Sequence, residues 1–102
     1  MNSITPADYA ATDRDASFLL DVRQPEEWAS AHVDGATLIP LGGLVERLSE
    51  LPTDKPIYVM CHAGGRSAQA TAYLTQNGFD ATNIDGGITQ WIASDLPVVS
   101  GE

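Results

Sequence analysis

Ile57-Tyr58-Val59-Met60-Cys61-His62-Ala63-Gly64-Gly65-Arg66-Ser67 carries the chain from an apolar run into a glycine-bearing loop, and its only cysteine stands at the junction. The run from Pro56 to Cys61 is strongly apolar and predicts a buried strand. From Ser67 onward the residues Ala68-Gln69-Ala70-Thr71-Ala72-Tyr73-Leu74 read as a helix. It ends near Asn77-Gly78, a pair suited to terminating helices. Helical and strand-like segments alternate in this way from one end of the chain to the other, and that alternation predicts an α/β fold.

The same stretch carries chemistry. Gly64 and Gly65 tolerate positive φ, so the loop can fold tightly with successive backbone N–H groups turned inward as an anion-binding nest. The helix that follows adds its dipole and its unpaired N–H groups to the same spot. Arg66, five residues after the cysteine, brings a planar guanidinium fork suited to an oxyanion. A sulfur at the centre of such a loop is a thiol of lowered pKa, and the thiolate is the form that attacks. A free cysteine at the end of a buried strand is more commonly a small hydrophobe. Two glycines, an arginine and a helix start directly after the sulfur have no packing explanation, so the nucleophile reading is preferred.

Around this segment the remaining elements fall into order. Thr5-Pro6 suits a helix start, with a short helix through about Ala11. Ser17-Phe18-Leu19-Leu20-Asp21-Val22 is a second buried strand, and Gln24-Pro25-Glu26-Glu27-Trp28-Ala29 restarts as a helix with Trp28 expected to pack inward. Thr37-Leu38-Ile39 is extended and stopped by Pro40. Leu44, Leu48 and Leu51 then recur at helical spacing up to Pro52. Ala81 to Ile84 is a weaker strand, and Asp85-Gly86-Gly87 turns the chain into a last helix carrying Trp91. In an open parallel sheet, reactive groups gather beyond the carboxyl ends of the strands, where Asp21 and Cys61 both fall.

A chain of 102 residues accommodates one ordinary domain with one core, residues 1–102 here. Apolar stretches are far shorter than a membrane span and no basic residue precedes Arg14, so neither a transmembrane helix nor a secretory leader is expected. A single cysteine makes no internal disulfide, which suits a reducing, cytoplasmic compartment. Fourteen acidic against five basic residues give a formal charge of −9, which disfavours nucleic acid and anionic membranes as partners. An anionic substrate meets a repulsive field and depends on local amides and Arg66.

Three motifs together resemble the rhodanese-like domain family. Leu20-Asp21-Val22-Arg23-Gln24-Pro25-Glu26-Glu27-Trp28 with Ala31-His32-Val33-Asp34-Gly35-Ala36 and Ile39-Pro40 is similar to its first signature. The Cys61 to Ser67 loop is similar to its second, and Asp85-Gly86-Gly87 with Trp91 to its C-terminal one, so the likeness spans about Ile4 to Pro97. The resemblance implies a single domain with a central parallel sheet flanked by helices. It also implies sulfurtransferase chemistry through a cysteine persulfide. Cys61 then matches the persulfide-forming residue, and His62, Ala63, Gly64, Gly65, Arg66 and Ser67 form the expected substrate-binding loop. Two positions depart from the family pattern: Ala31 stands where glycine often precedes the histidine, and His62 stands where many members carry arginine. The second removes a permanent charge beside the sulfur, which implies modest affinity for a dianion such as thiosulfate.

Asp21, Arg23, His32 and Asp85 lie in the matching motifs and are expected to tie loops together rather than to react. His62 has two readings: protonated, it favours the ionised sulfur; otherwise it is a solvated loop residue. No cofactor is implied, and one cysteine with two separated histidines does not supply a zinc set. The partners expected are a small sulfur donor and a thiol acceptor, free or on an acceptor protein, with the chain itself a monomer. Two rivals remain. A cysteine phosphatase or arsenate reductase has a similar loop, but with five residues between cysteine and arginine where this chain has four. A rhodanese-like binding or regulatory module without turnover is the other, and the presence of Cys61 with a full loop argues against it.

Overall fold

The two strongest apolar runs lie side by side. In the computed structural model, which describes residues 1–101, β2 (Phe18–Asp21) pairs in parallel with β4 (Ile57–Met60), Leu20 opposite Val59 and Asp21 opposite Met60. β3 (Thr37–Leu38) flanks β2, while β5 (Ala81–Ile84) and then β1 (Ser3–Ile4) extend the other edge. The result is a five-stranded, all-parallel sheet in the order β1-β5-β4-β2-β3. Helices α1 (Pro6–Ala10), α2 (Pro25–Ser30) and α3 (Gly65–Gln76) lie between strands, and α4 (Gly87–Ala93) follows β5.

Alternation along the central strands divides the core between the two sheet faces. Leu20, Val22, Val59 and Cys61 meet Ala70 and Leu74 of α3 on one face. Leu19 and Met60 meet Tyr9 of α1 and Ile88 and Trp91 of α4 on the other. Both sides of the sheet are therefore covered, as parallel strands require.

The strand order also locates a crevice. From β2 the chain leaves through α2 towards β3, and from β4 it leaves through α3 towards β5, in the opposite direction. Adjacent strands whose connections diverge leave a gap beyond their carboxyl ends. Residues 21–23 and 61–64 line that gap.

Three expectations need correction. The leucine-spaced segment is not an α-helix: it forms 3₁₀ turns at Leu41–Gly43 and Val45–Glu50, interrupted at Arg47 (φ −118°). Leu44 and Leu51 are nevertheless buried, because spacings of three and four serve a tight turn as well as an α-helix. Trp28 does not enter the core. It is half-buried and stacks on the His32 ring with centroids 3.8 Å apart and planes 9° from parallel. Helix α3 begins at Gly65, two residues earlier than the sequence suggests. β1 and a 3₁₀ turn at Arg14–Ala16 are additional elements without a sequence signal.

Candidate active site

Cys61 immediately follows β4, and its side chain is buried, leaving the residue 1 % exposed. Three residues later the Gly64 N–H donates to Cys61 Sγ at 3.0 Å. Gly64 makes this turn at φ +111°, a conformation for which glycine is suited, and serves as the residue before the first turn of α3. Gly65 does not share that role: it is the first helical residue, and a side chain there would meet open space. Ser67 is completely buried one turn below the sulfur, with its hydroxyl oxygen 3.2 Å from the Gly64 carbonyl and within reach of Cys61.

Two opposing influences act on the thiol. Burial pushes its pKa up, while the Ser67 hydroxyl and the backbone N–H groups of Ser67, Gly64 and Ala63 stabilise the anion and pull it down. The donors win, and the thiol lies below its ordinary value. Neutral dipoles thus favour ionisation of the sulfur over that of an ordinary thiol.

The second wall of the cradle comes from α4. Its first N–H groups turn onto the cysteine loop, Ile88 N–H donating to the Cys61 carbonyl at 2.8 Å and Thr89 N–H to the His62 carbonyl at 3.1 Å. This close approach depends on Gly87, at φ +55°, where a Cβ would stand 2.2 Å from the Cys61 oxygen.

Arg66 departs from the arrangement expected for it. Instead of facing open solvent for an incoming anion, its guanidinium grips Glu27 of α2, Nη1 to Oε1 at 2.6 Å and Nη2 to Oε2 at 2.8 Å. The Arg66 hydrogen bonds hold the Glu27 carboxyl down at about 2, against a lesser upward push from burial, and the Gln24 N–H assists. Reciprocally, Glu27 raises the Arg66 pKa, with smaller contributions from the negative charges of Cys61 and Asp21.

Asp21 and Arg23 are buried and paired, Nη2 to Oδ2 at 2.9 Å, and Arg23 also donates to the carbonyls of Glu27 and Ala31. This pair ties the middle of α2 and its C-cap to the tip of β2. His32 Nδ1 donates to the Trp28 carbonyl at 2.8 Å, and its backbone exchanges hydrogen bonds with Val99. Both groups tie loops, as the sequence suggests. Asp85 is exposed, with its backbone N–H donating to Ile4. His62 and Ala63 are exposed at the mouth, where Glu26, Glu27, Ser30, His62, Ile88 and Ile92 line a cleft of about 390 Å³. Among the described residues, no three His, Cys, Asp or Glu side chains cluster to hold a metal, and no helix is long and apolar enough to cross a membrane.

The model of the rhodanese-like domain matches residues 5–94. The chain belongs to the rhodanese-like domain family. A sulfurtransferase of Allochromatium vinosum is 37 % identical over 91 residues, covering 88 % of this chain and 85 % of that protein. YqhL of Bacillus subtilis is 39 % identical over 92 residues, covering 89 % and 72 %. Among solved structures, a rhodanese-related protein from Thermoplasma volcanium superposes with a TM-score of 0.92 at 36 % identity, over 97 % of this chain and 98 % of that one.

In this rhodanese-like domain the contiguous loop was readable from sequence, and its distant supports were not. Glu27 is 39 residues from Arg66, and no local pattern announces their pairing. Gly87 was visible as part of a turn, but its contact with the cysteine carbonyl exists only once β4 and β5 are neighbours.

Proposed function

We propose that this rhodanese-like domain is a sulfurtransferase that carries sulfane sulfur as a persulfide on Cys61. The observation that carries the reading is the sulfur within its cradle, bonded by the Gly64 N–H at 3.0 Å with its pKa lowered. The sulfurtransferase name of the Allochromatium vinosum relative supports it. With thiosulfate as donor, the Cys61 thiolate attacks the outer sulfur, the donor's S–S bond breaks, and sulfite leaves with the bonding pair. The inward N–H groups then stabilise the negative terminal sulfur. A thiophile such as cyanide attacks that sulfur, leaves as thiocyanate, and returns Cys61 as the thiolate. A cellular thiol, free or on an acceptor protein, serves the same role in a reducing cytoplasm. The loop suits one sulfur atom better than a tetrahedral oxyanion, since four residues separate Cys61 from Arg66.

Intact-mass measurement after exposure to thiosulfate tests this directly. Wild-type protein should gain the mass of one sulfur atom and lose it on adding cyanide, and Cys61→Ser should gain nothing while remaining folded. Thiosulfate:cyanide turnover by a folded Cys61→Ser protein would falsify the mechanism. A wild-type protein with neither mass gain nor turnover points to a binding module instead.

A further inference from the structure

Arg66 lies at the start of α3 and feels the negative charge of Cys61, so its resting state bears on which donors the site accepts. Both terminal nitrogens of its guanidinium lie on the two oxygens of Glu27. Glu27 is itself anchored, because Oε1 also accepts from the Gln24 N–H at 3.0 Å in the first turn of α2. Glu26 adds a second carboxylate to the same cleft, and the side chain of Glu27 is only 27 % exposed. A dianion that approaches Arg66 meets a guanidinium whose charge Glu27 already matches, and it must either displace that carboxylate or lie beside it. A less charged donor needs no such exchange.

Resting on the sulfur-transfer reading above, we propose that Glu27 is a specificity-determining residue: by occupying Arg66 it discriminates against dianionic sulfur donors in favour of monoanionic or uncharged ones. The selectivity is of the repulsive kind, an unpaired charge set against the wrong ligand. It acts together with His62, which lines the same cleft where a permanently charged arginine would add attraction.

Thiosulfate and methanethiosulfonate separate charge from chemistry. Each offers one outer sulfur to the thiolate; the first releases sulfite and the second methanesulfinate, with one negative charge fewer on the donor. The readout is the ratio of kcat/KM for the two donors, from which the fraction of folded enzyme cancels. Glu27→Gln keeps an oxygen for the Gln24 N–H and removes the charge, and it should raise the thiosulfate:methanethiosulfonate ratio about tenfold, the scale of one partly exposed charge at contact distance. Glu27→Ala should move the ratio in the same direction, and the remote Glu46→Gln, with the same change in net charge, should leave it where it was. Adding Arg66→Gln to Glu27→Gln should remove the gain. An unchanged ratio in both Glu27 variants, or a gain that persists without Arg66, overturns the role of Glu27 alone. A wild-type protein that takes sulfur from neither donor overturns the transfer reading and this inference with it.

Discussion

At the scale of single residues the two adjacent glycines of the loop separate sharply. Gly64 sits at φ +111° and aims its N–H at the sulfur, so Gly64→Val forces a β-branched residue into a conformation costing about 1–3 kcal/mol. The expected outcome is a raised Cys61 pKa, read as slower iodoacetamide alkylation near neutral pH and a pH profile displaced upward. Gly65→Ala should leave that profile alone and stabilise the fold by up to about 1 kcal/mol, since the position is helical and a Cβ meets open space. Matching profiles for Gly64→Val and wild type would mean that the Gly64 amide does not shape the thiol. The sequence showed that the loop needs glycine, and left open which residue bends and which begins the helix. Only the backbone path separates two neighbours of the same type. Cys61 itself was readable because its surroundings are contiguous in the chain. The burial that opposes its ionisation, and the Ser67 hydroxyl that helps overcome it, come from the folded packing.

Between elements, the site is assembled by contacts that no single segment contains. The N-terminus of α4 lies against the loop after β4, and Gly87→Ala would drive a Cβ to 2.2 Å from the Cys61 oxygen and 2.8 Å from the His62 carbonyl carbon. That substitution should cost about 2 kcal/mol or more and slow alkylation as well, because the loop must move to admit the methyl. A melting temperature and alkylation rate equal to wild type would show that α4 does not support the cradle. The Glu27–Arg66 pair joins α2 to α3 in a similar way, and its pH dependence has a definite sign. With the carboxyl held at about 2 against an ordinary 4.5, its ionised form contributes stability that is complete above about pH 4.5 and is lost as the pH falls towards 2. The pair is partly exposed, so the contribution is about 1 kcal/mol. Chemical denaturation of wild type and Glu27→Gln should therefore differ at pH 6 and converge near pH 2, and a difference independent of pH would deny the pair its stabilising role. Elements with strong local patterns, β2, β4 and α3, were readable from sequence. β1 was not, since two residues carry no periodicity and its pairing with β5 is decided by the opposite end of the chain. The leucine-spaced segment misled because spacing alone does not distinguish an interrupted 3₁₀ path from an α-helix.

For the whole molecule, charge is the property that reaches furthest. The formal charge is −9 and the radius of gyration 12.2 Å. At about 0.01 M salt the screening length is roughly 30 Å, so carboxylates all over the surface repel an approaching anion. At about 0.15 M it is roughly 8 Å, and only groups at the mouth remain effective. Those groups include Arg66, but its charge is already matched by Glu27, so there is little local attraction for salt to weaken. Raising the ionic strength across this range should consequently increase kcat/KM for thiosulfate severalfold. Methanethiosulfonate, with half the charge, should gain less, and alkylation by uncharged iodoacetamide should stay flat apart from the thiol's own ionisation. The rival expectation is equally definite: were Arg66 free to draw anions into the cradle, salt would weaken that attraction and the thiosulfate rate would fall. A falling rate would show that the arginine is released as the donor arrives and that its attraction, not the overall acidic field, governs encounter with the sulfur.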